Sequence, residues 1–213
     1  MPGGFMNVVL IILLFIAIAV VAIQSGRARR KAAKLNEQFL QEEDEANSVR
    51  KQPLDEELFY YADLSILPPL PDGDPFKVER ASKRKMVRFL EPVTNLQLKK
   101  RYGRVQLELL AQYEENYSEY LRSLTKWAED LIKKDDKNNA LRILEHAIAL
   151  GSEFRKTYKY AADIYAEKRN TENLEALLSD NIFQQFRDPA TAKYITEYIH
   201  EKIVATQDSE APA

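Results

Sequence analysis

Residues 121–150 read LRSLTKWAEDLIKKDDKNNALRILEHAIAL, and residues 155–178 read RKTYKYAADIYAEKRNTENLEALL. In the first stretch Leu121, Leu124, Trp127, Ala128 and Leu131 recur at three- and four-residue spacings, which predicts one apolar face on a helix. Asp135-Asp136 then supplies turn and N-cap chemistry. A second helix from Asn138 to Leu150 buries Ala140, Leu144 and Ala147, and Gly151 is placed to end it. A shift of 34 residues sets Leu124, Trp127, Ala128 and Leu131 over Tyr158, Ala161, Ala162 and Tyr165. The same shift sets KNNALRIL, from Lys137, over TENLEALL, from Thr171. A helical hairpin is therefore written twice in succession.

Working outward, Tyr117 and Tyr120 extend the apolar face toward Leu107, as one long helix or as two with a break near Asn116. Thr94 and Gln97 predict the start of a short helix that stops at Gly103. Downstream, Asp188-Pro189 reads as an N-cap followed by a first-turn proline. The helix it opens carries Tyr194, Ile195, Tyr198, Ile199 and Ile203 on one face, and a disordered tail is expected over 205–213. The expectation is an all-α domain with no sheet larger than an incidental pair of strands.

The period and the distribution of small and large residues resemble the tetratricopeptide repeat. In that family small residues at the eighth and twentieth repeat positions let paired helices approach closely, and Ala128, Ala162 and Ala140 match them. Leu174, Asn181, Ser152 and Phe186 depart from the family's pattern. The resemblance covers residues 121–188. It implies a small α-solenoid over 94–204 whose final helix caps the last edge. It also implies a concave surface faced by Arg122, Thr125, Lys126 and Glu129, then Lys156, Lys159 and Asp163. The four cations Arg122, Lys126, Lys156 and Lys159 are the candidate partner-binding residues, suited to an acidic peptide or a terminal carboxylate. Members of the family that clamp a carboxylate carry asparagine where this chain has Glu129 and Asp163.

The N-terminus carries a different signal. From Phe5 to Ile23, FMNVVLIILLFIAIAVVAI, only Asn7 is polar. As a helix this run is about 28 Å long, close to the ~30 Å hydrocarbon core of a bilayer. No basic residue precedes it, whereas Arg27, Arg29, Arg30, Lys31 and Lys34 follow it, which predicts a retained transmembrane anchor over 1–26 and not a cleaved leader. The positive-inside rule places the N-terminus outside and the rest of the chain in the cytoplasm, at the cell membrane. The five cations are then membrane-surface residues among anionic headgroups. Beyond the anchor, residues 27–53 read as a charged juxtamembrane helix with Leu35, Phe39 and Leu40 as its few apolar positions.

Residues 54–93 read as a connector containing LPPLPDGDP, with Leu64, Ile66, Leu67 and Leu70 able to pack on the domain, and LFYY at 58–61 beside them. Within 77–104, Lys77, Arg80, Lys83, Arg84, Lys85, Arg88, Lys99, Lys100, Arg101 and Arg104 face only Glu79 and Glu91. Anionic lipid, nucleic acid or an acidic partner are functional readings of this segment. A solvated face balanced by the acidic stretch 42–57 is the alternative. Nucleic acid is not expected, since no nucleic-acid motif accompanies the charge.

Catalytic chemistry is not nominated. Cysteine is absent, which excludes disulfides, thiolate metal sites and a cysteine nucleophile. Phosphate loops, nucleophile elbows and paired metal histidines are missing. His200 follows Glu197 at i+3 without the second copy that a di-iron bundle needs, and both His200 and His146 are expected on the surface. No enzyme, cofactor, metal or small-molecule substrate is expected. As a whole, the apolar N-terminus, NLQLKKRYG, YEENYSEYL and ALRILEHAIALGSEF resemble single-pass membrane proteins of anaerobic Gram-positive bacteria. That resemblance implies membrane anchorage and a repeat fold and supplies no activity. The function expected is a membrane-tethered scaffold or adaptor that binds a protein partner. The alternatives are a structural subunit of a larger membrane assembly, or lipid or nucleic-acid binding through 77–104.

Overall fold

The computed structural model describes residues 3–89, 91, 93–179 and 186–208, with the side chains of 3–23 and of 28 outside the described set. The chain is mostly helical, as expected of an all-α protein. It divides into two compact units, Met1–Gln52 with Asn95–Arg104, and Pro53–Thr94 with Val105–Ala213.

The first unit is built from α1 (Gly3–Ser48) and α3 (Asn95–Tyr102), which pack together. Here Ala46, Leu98 and Tyr102 are buried. Lys99 and Lys100 on α3 reach Glu43 and Glu42 on α1 at 2.6 and 2.9 Å, so part of the acidic stretch does neutralise part of the basic one. The α3 helix stops at Gly103, whose φ is +82° and whose N–H donates to the Lys99 carbonyl at 2.8 Å. The sequence places α3 at the start of the repeat domain; it groups instead with α1, where its lysines pair with glutamates of that helix. The apolar run 5–23 lies in the backbone of α1, but its side chains fall outside the described residues, and so does the anchor expected over 1–26. Among the described residues no helix is long and apolar enough to cross a membrane.

The second unit holds α4 (Leu107–Lys133), α5 (Lys137–Ala149), α6 (Arg155–Glu167), α7 (Thr171–Ser179) and α8 (Pro189–Asp208). Helix α4 is continuous through Asn116. The neighbours in space are α4 with α5, α5 with α6, α6 with α7, and α8 with both α6 and α7. The doubled hairpin is visible in the turns. Asp136 accepts from the Asn139 N–H at 3.3 Å, and 34 residues on Asn170 accepts from the Asn173 N–H at 3.0 Å. Asp135 and Arg169, just before these caps, both take positive φ, 61° and 52°. The N–H groups of Asp136 and Asn170 donate to Leu131 and Tyr165, each at 2.9 Å. A second 34-residue step separates the first residues of α6 and α8, Arg155 and Pro189. Ala128, Ala140, Ala161 and Ala162 have no exposure at all, so the small side chains sit where helices meet.

Asp188 caps α8 as its sequence predicts, accepting from the Ala190 and Thr191 N–H groups at 3.1 Å each. Of the disordered tail expected over 205–213, residues 205–208 are helical instead: α8 runs to Asp208, and Thr206 is buried with its hydroxyl donating to the Lys202 carbonyl at 2.8 Å. Residues 209–213 lie outside the described residues.

Residues 53–94 do more than connect. They contribute α2 (Val78–Ser82) and a two-residue antiparallel pair, β1 (Phe59–Tyr60) with β2 (Met86–Val87), in the register Phe59 to Val87 and Tyr60 to Met86. Leu67, Val78, Ala81 and Met86 join the buried core, with Tyr60, Leu64 and Leu70 packed against it. Tyr60 meets the Tyr117 ring edge-on at 5.1 Å between centroids. Two residues expected to pack do not: Ile66 and Tyr61 are exposed, Ile66 giving its backbone carbonyl to Arg142 at 3.2 Å.

Candidate functional site

The four cations expected to line one concave face do not act as one set. Lys156 is held by Glu129 at 3.1 Å, and Glu129 also accepts from Lys133 at 3.0 Å. These two hydrogen bonds hold the Glu129 carboxyl below its ordinary pKa, and the bond to Glu129 raises that of Lys156. Lys159 lies 4.7 Å from the centroid of the Tyr198 ring on α8. The Tyr198 hydroxyl donates to Asp163 at 2.7 Å, and Lys202 pairs with Asp163 at 2.7 Å. Helix α8 thus occupies the part of the face that α6 was expected to leave open. Thr125, expected on the same face, is buried instead, because its hydroxyl finds Thr157 at 2.8 Å and the Leu121 carbonyl at 3.1 Å.

Arg122 and Lys126 remain exposed, and they join residues that sequence spacing had assigned elsewhere. A recess of about 260 Å³ is lined by Lys77, Arg80 and Arg84 from the α2 region and by Arg122 and Lys126 from α4. Phe76, Ala81, Glu119 and Ser123 complete it. Lys77 adopts φ +61° at the N-cap of α2, and Asp74 fixes the turn by accepting from the Arg80 N–H at 3.0 Å. Ala81 and Ser123 are buried and small, which lets α2 lie close against α4. One carboxylate, Glu119, sits among the five cations and is bound by Arg84. Arg122 pairs with Glu115 at 3.3 Å and covers the Phe154 ring at 5.3 Å. Among the described residues Lys77, Arg80 and Lys126 have no ion-pair partner. Arg122 and Lys126 lie one turn apart on α4, Arg80 is on α2 and Arg84 follows its C-cap Lys83, so cations from two segments line the one recess.

No protein-family model, curated protein or solved structure matches this chain.

The basic segment 77–104 is divided between the two units: its Lys77–Arg88 portion belongs to the second and its Lys99–Arg104 portion to the first. The membrane-surface candidates Arg27, Arg29, Arg30, Lys31 and Lys34 are exposed along α1. A larger cavity of about 470 Å³ is floored by Leu121, Phe154 and Phe186. At its rim Arg187 is tied to Glu114 and donates its backbone N–H to Glu153 at 3.2 Å.

His200 is exposed, as expected. His146 is not: it is half-buried, its Nε2 has no hydrogen-bond partner, and burial pushes its pKa down, with Asp63 opposing. Among the described residues no group of histidine and carboxylate side chains is arranged to hold a metal ion. The contribution of α2 to the Arg122–Lys126 face was missed because that contact joins residues more than thirty positions apart. The signal the sequence does offer is the run of cations that includes Lys77, Arg80 and Arg84.

Proposed function

We propose that this chain is a membrane-tethered interaction module, with a tetratricopeptide-like helical stack that holds a protein partner at the cytoplasmic face. The observation that carries the reading is the recurrence, at 34 residues, of one turn geometry: the caps of Asp136 and Asn170, the positive φ of Asp135 and Arg169, and matched 2.9 Å backbone bonds. Stacks of such hairpins expose a row of first helices as a binding surface. In this chain α4 supplies that row, since α8 takes the place of a partner on α6. The apolar run 5–23 followed by Arg27, Arg29, Arg30, Lys31 and Lys34 supports the tether and its orientation.

The test is crosslinking in native membranes, followed by mass spectrometry of what copurifies. A reproducible protein partner crosslinked through α4 or α2 is the expected result. Recovery of the chain in the soluble fraction, or crosslinks to itself alone, would overturn the reading. A reporter fused after Ala213 tests the topology and should be active only inside the cell.

A further inference from the structure

We infer that the recess between α2 and α4 docks an acidic segment of the partner protein, one that places paired carboxylates on either side of an apolar side chain. The inference rests on the module reading above and adds the chemistry of its partner. Five cations lie around one recess, and only Arg84 and Arg122 have carboxylate partners, Glu119 and Glu115. Lys77, Arg80 and Lys126 are exposed and have no ion pair among the described residues. Unpaired cations contributed from both segments, Lys77 and Arg80 from the α2 region and Lys126 from α4, attract a ligand that brings carboxylates to both at once, and arginine adds bidentate geometry to the charge. The half-buried Phe76 and the buried Ala81 line the same recess and offer an apolar contact among the cations.

A bilayer surface or a nucleic-acid strand fits less well. Both present negative charge without interruption, and Glu115 and Glu119 stand beside the cations, paired with Arg122 and Arg84. A continuous polyanion would press on those carboxylates, whereas a peptide can set neutral residues against them. The volume of about 260 Å³ likewise suits a few side chains and not a duplex.

The test uses the full chain in detergent micelles and fluorescence anisotropy of a labelled synthetic peptide in which glutamate pairs flank single phenylalanines. Phosphatidylglycerol vesicles, a single-stranded oligonucleotide and the same peptide with glutamine for glutamate are the comparison probes. The acidic peptide should bind, more weakly as salt rises. Each charge-assisted hydrogen bond removed should weaken binding by roughly tenfold. Arg80→Ala with Lys126→Ala should therefore lose most binding, while Lys168→Ala should keep it. Arg80 and Lys126 are exposed, so the double variant should show a wild-type circular dichroism melt. Equal binding by the double variant, equal binding of the glutamine peptide, or vesicle or oligonucleotide binding that alone depends on Arg80 and Lys126 would overturn the inference. If the double variant still captures its crosslinked partner in membranes, the module stands and the recess does not.

Discussion

The Thr125 and Thr157 hydroxyls lie 2.8 Å apart, both buried, where α4 meets α6. Thr125 gives its one proton to the Leu121 carbonyl, so it must accept from Thr157. Thr157 in turn accepts from Ser152 at 3.1 Å. The three hydroxyls form a one-way relay that ends on the backbone of α4. Thr157→Val should leave Ser152 and Thr125 short of a partner and cost about 1–3 kcal/mol in denaturant unfolding. Thr125→Val added to it should cost less than Thr125→Val alone, a coupling that a double-mutant cycle reads directly.

The paired caps give a second expectation. Asp136→Ala and Asn170→Ala each remove one side-chain acceptor from a helix N-terminus, at a cost of about 1 kcal/mol apiece. The two turns belong to different hairpins and share no partner, so the losses should add to within ~0.5 kcal/mol. If either substitution proves neutral in equilibrium unfolding, the cap at that turn is not contributing.

Gly103 tests the first unit. A Cβ there would lie 2.9 Å from the carbonyl oxygens of both Val49 and Arg50, at a φ of +82°. Neither obstacle is a side chain able to swing aside. Gly103→Ala should cost more than about 1 kcal/mol. Hydrogen exchange should locate the loss, with α3 amides exchanging faster and α5 amides unchanged. Faster exchange in α5 would mean the two units do not unfold separately.

What could be read in advance followed the physics of each signal. The doubled hairpin was legible because its first turn needs particular chemistry, Asp136 as a cap and Gly151 at φ +80°, and because Ala128 and Ala162 repeat at the helix contacts; the matching cap at Asn170 was not singled out. Thr125 was misread because a hydroxyl looks polar in a sequence even where another hydroxyl satisfies it in the interior. The contact that Lys159 makes was not legible for a related reason. Its partner is the ring of Tyr198, and no spacing rule marks a cation–aromatic contact between distant helices. The β1–β2 pair is two residues long on each side and joins segments 27 positions apart, too short to alternate visibly. The recess combines both difficulties, being a tertiary contact between a short helix and a long one.

His146 sets an expectation for pH. Its pKa is lowered in the folded chain by burial, from an ordinary value of 6.5. Between the folded value and 6.5 the unfolded chain binds a proton that the folded one does not, so stability falls as pH drops below 6.5. Glu129, Asp63 and Asp188 are also lowered, by hydrogen bonds, but their effect begins only at more acidic pH, near the carboxylate range. Melting curves across the mildly acid range should therefore show a slope that His146→Gln flattens. An unchanged slope would assign that pH dependence to other groups.

Trp127 and Lys126 are adjacent in sequence and opposite in consequence. Trp127 is 2% exposed, in the same core as Leu124 and Ala128, and Lys126 points out into the recess. Trp127→Ala should cost about 3–5 kcal/mol through lost burial and the cavity left behind. That is a large part of the ~5–15 kcal/mol that holds a typical domain together. Lys126→Ala should change stability by less than ~0.5 kcal/mol. Lys159, on the face first assigned to binding, is the poorer control because its ammonium rests on Tyr198 and its loss would loosen α8. Equilibrium unfolding of the two variants in parallel separates the roles: a stable Trp127→Ala would put α4 in the wrong register, and with it the repeat. A destabilised Lys126→Ala would mean the lysine contributes to the fold, and its loss could no longer report on docking alone.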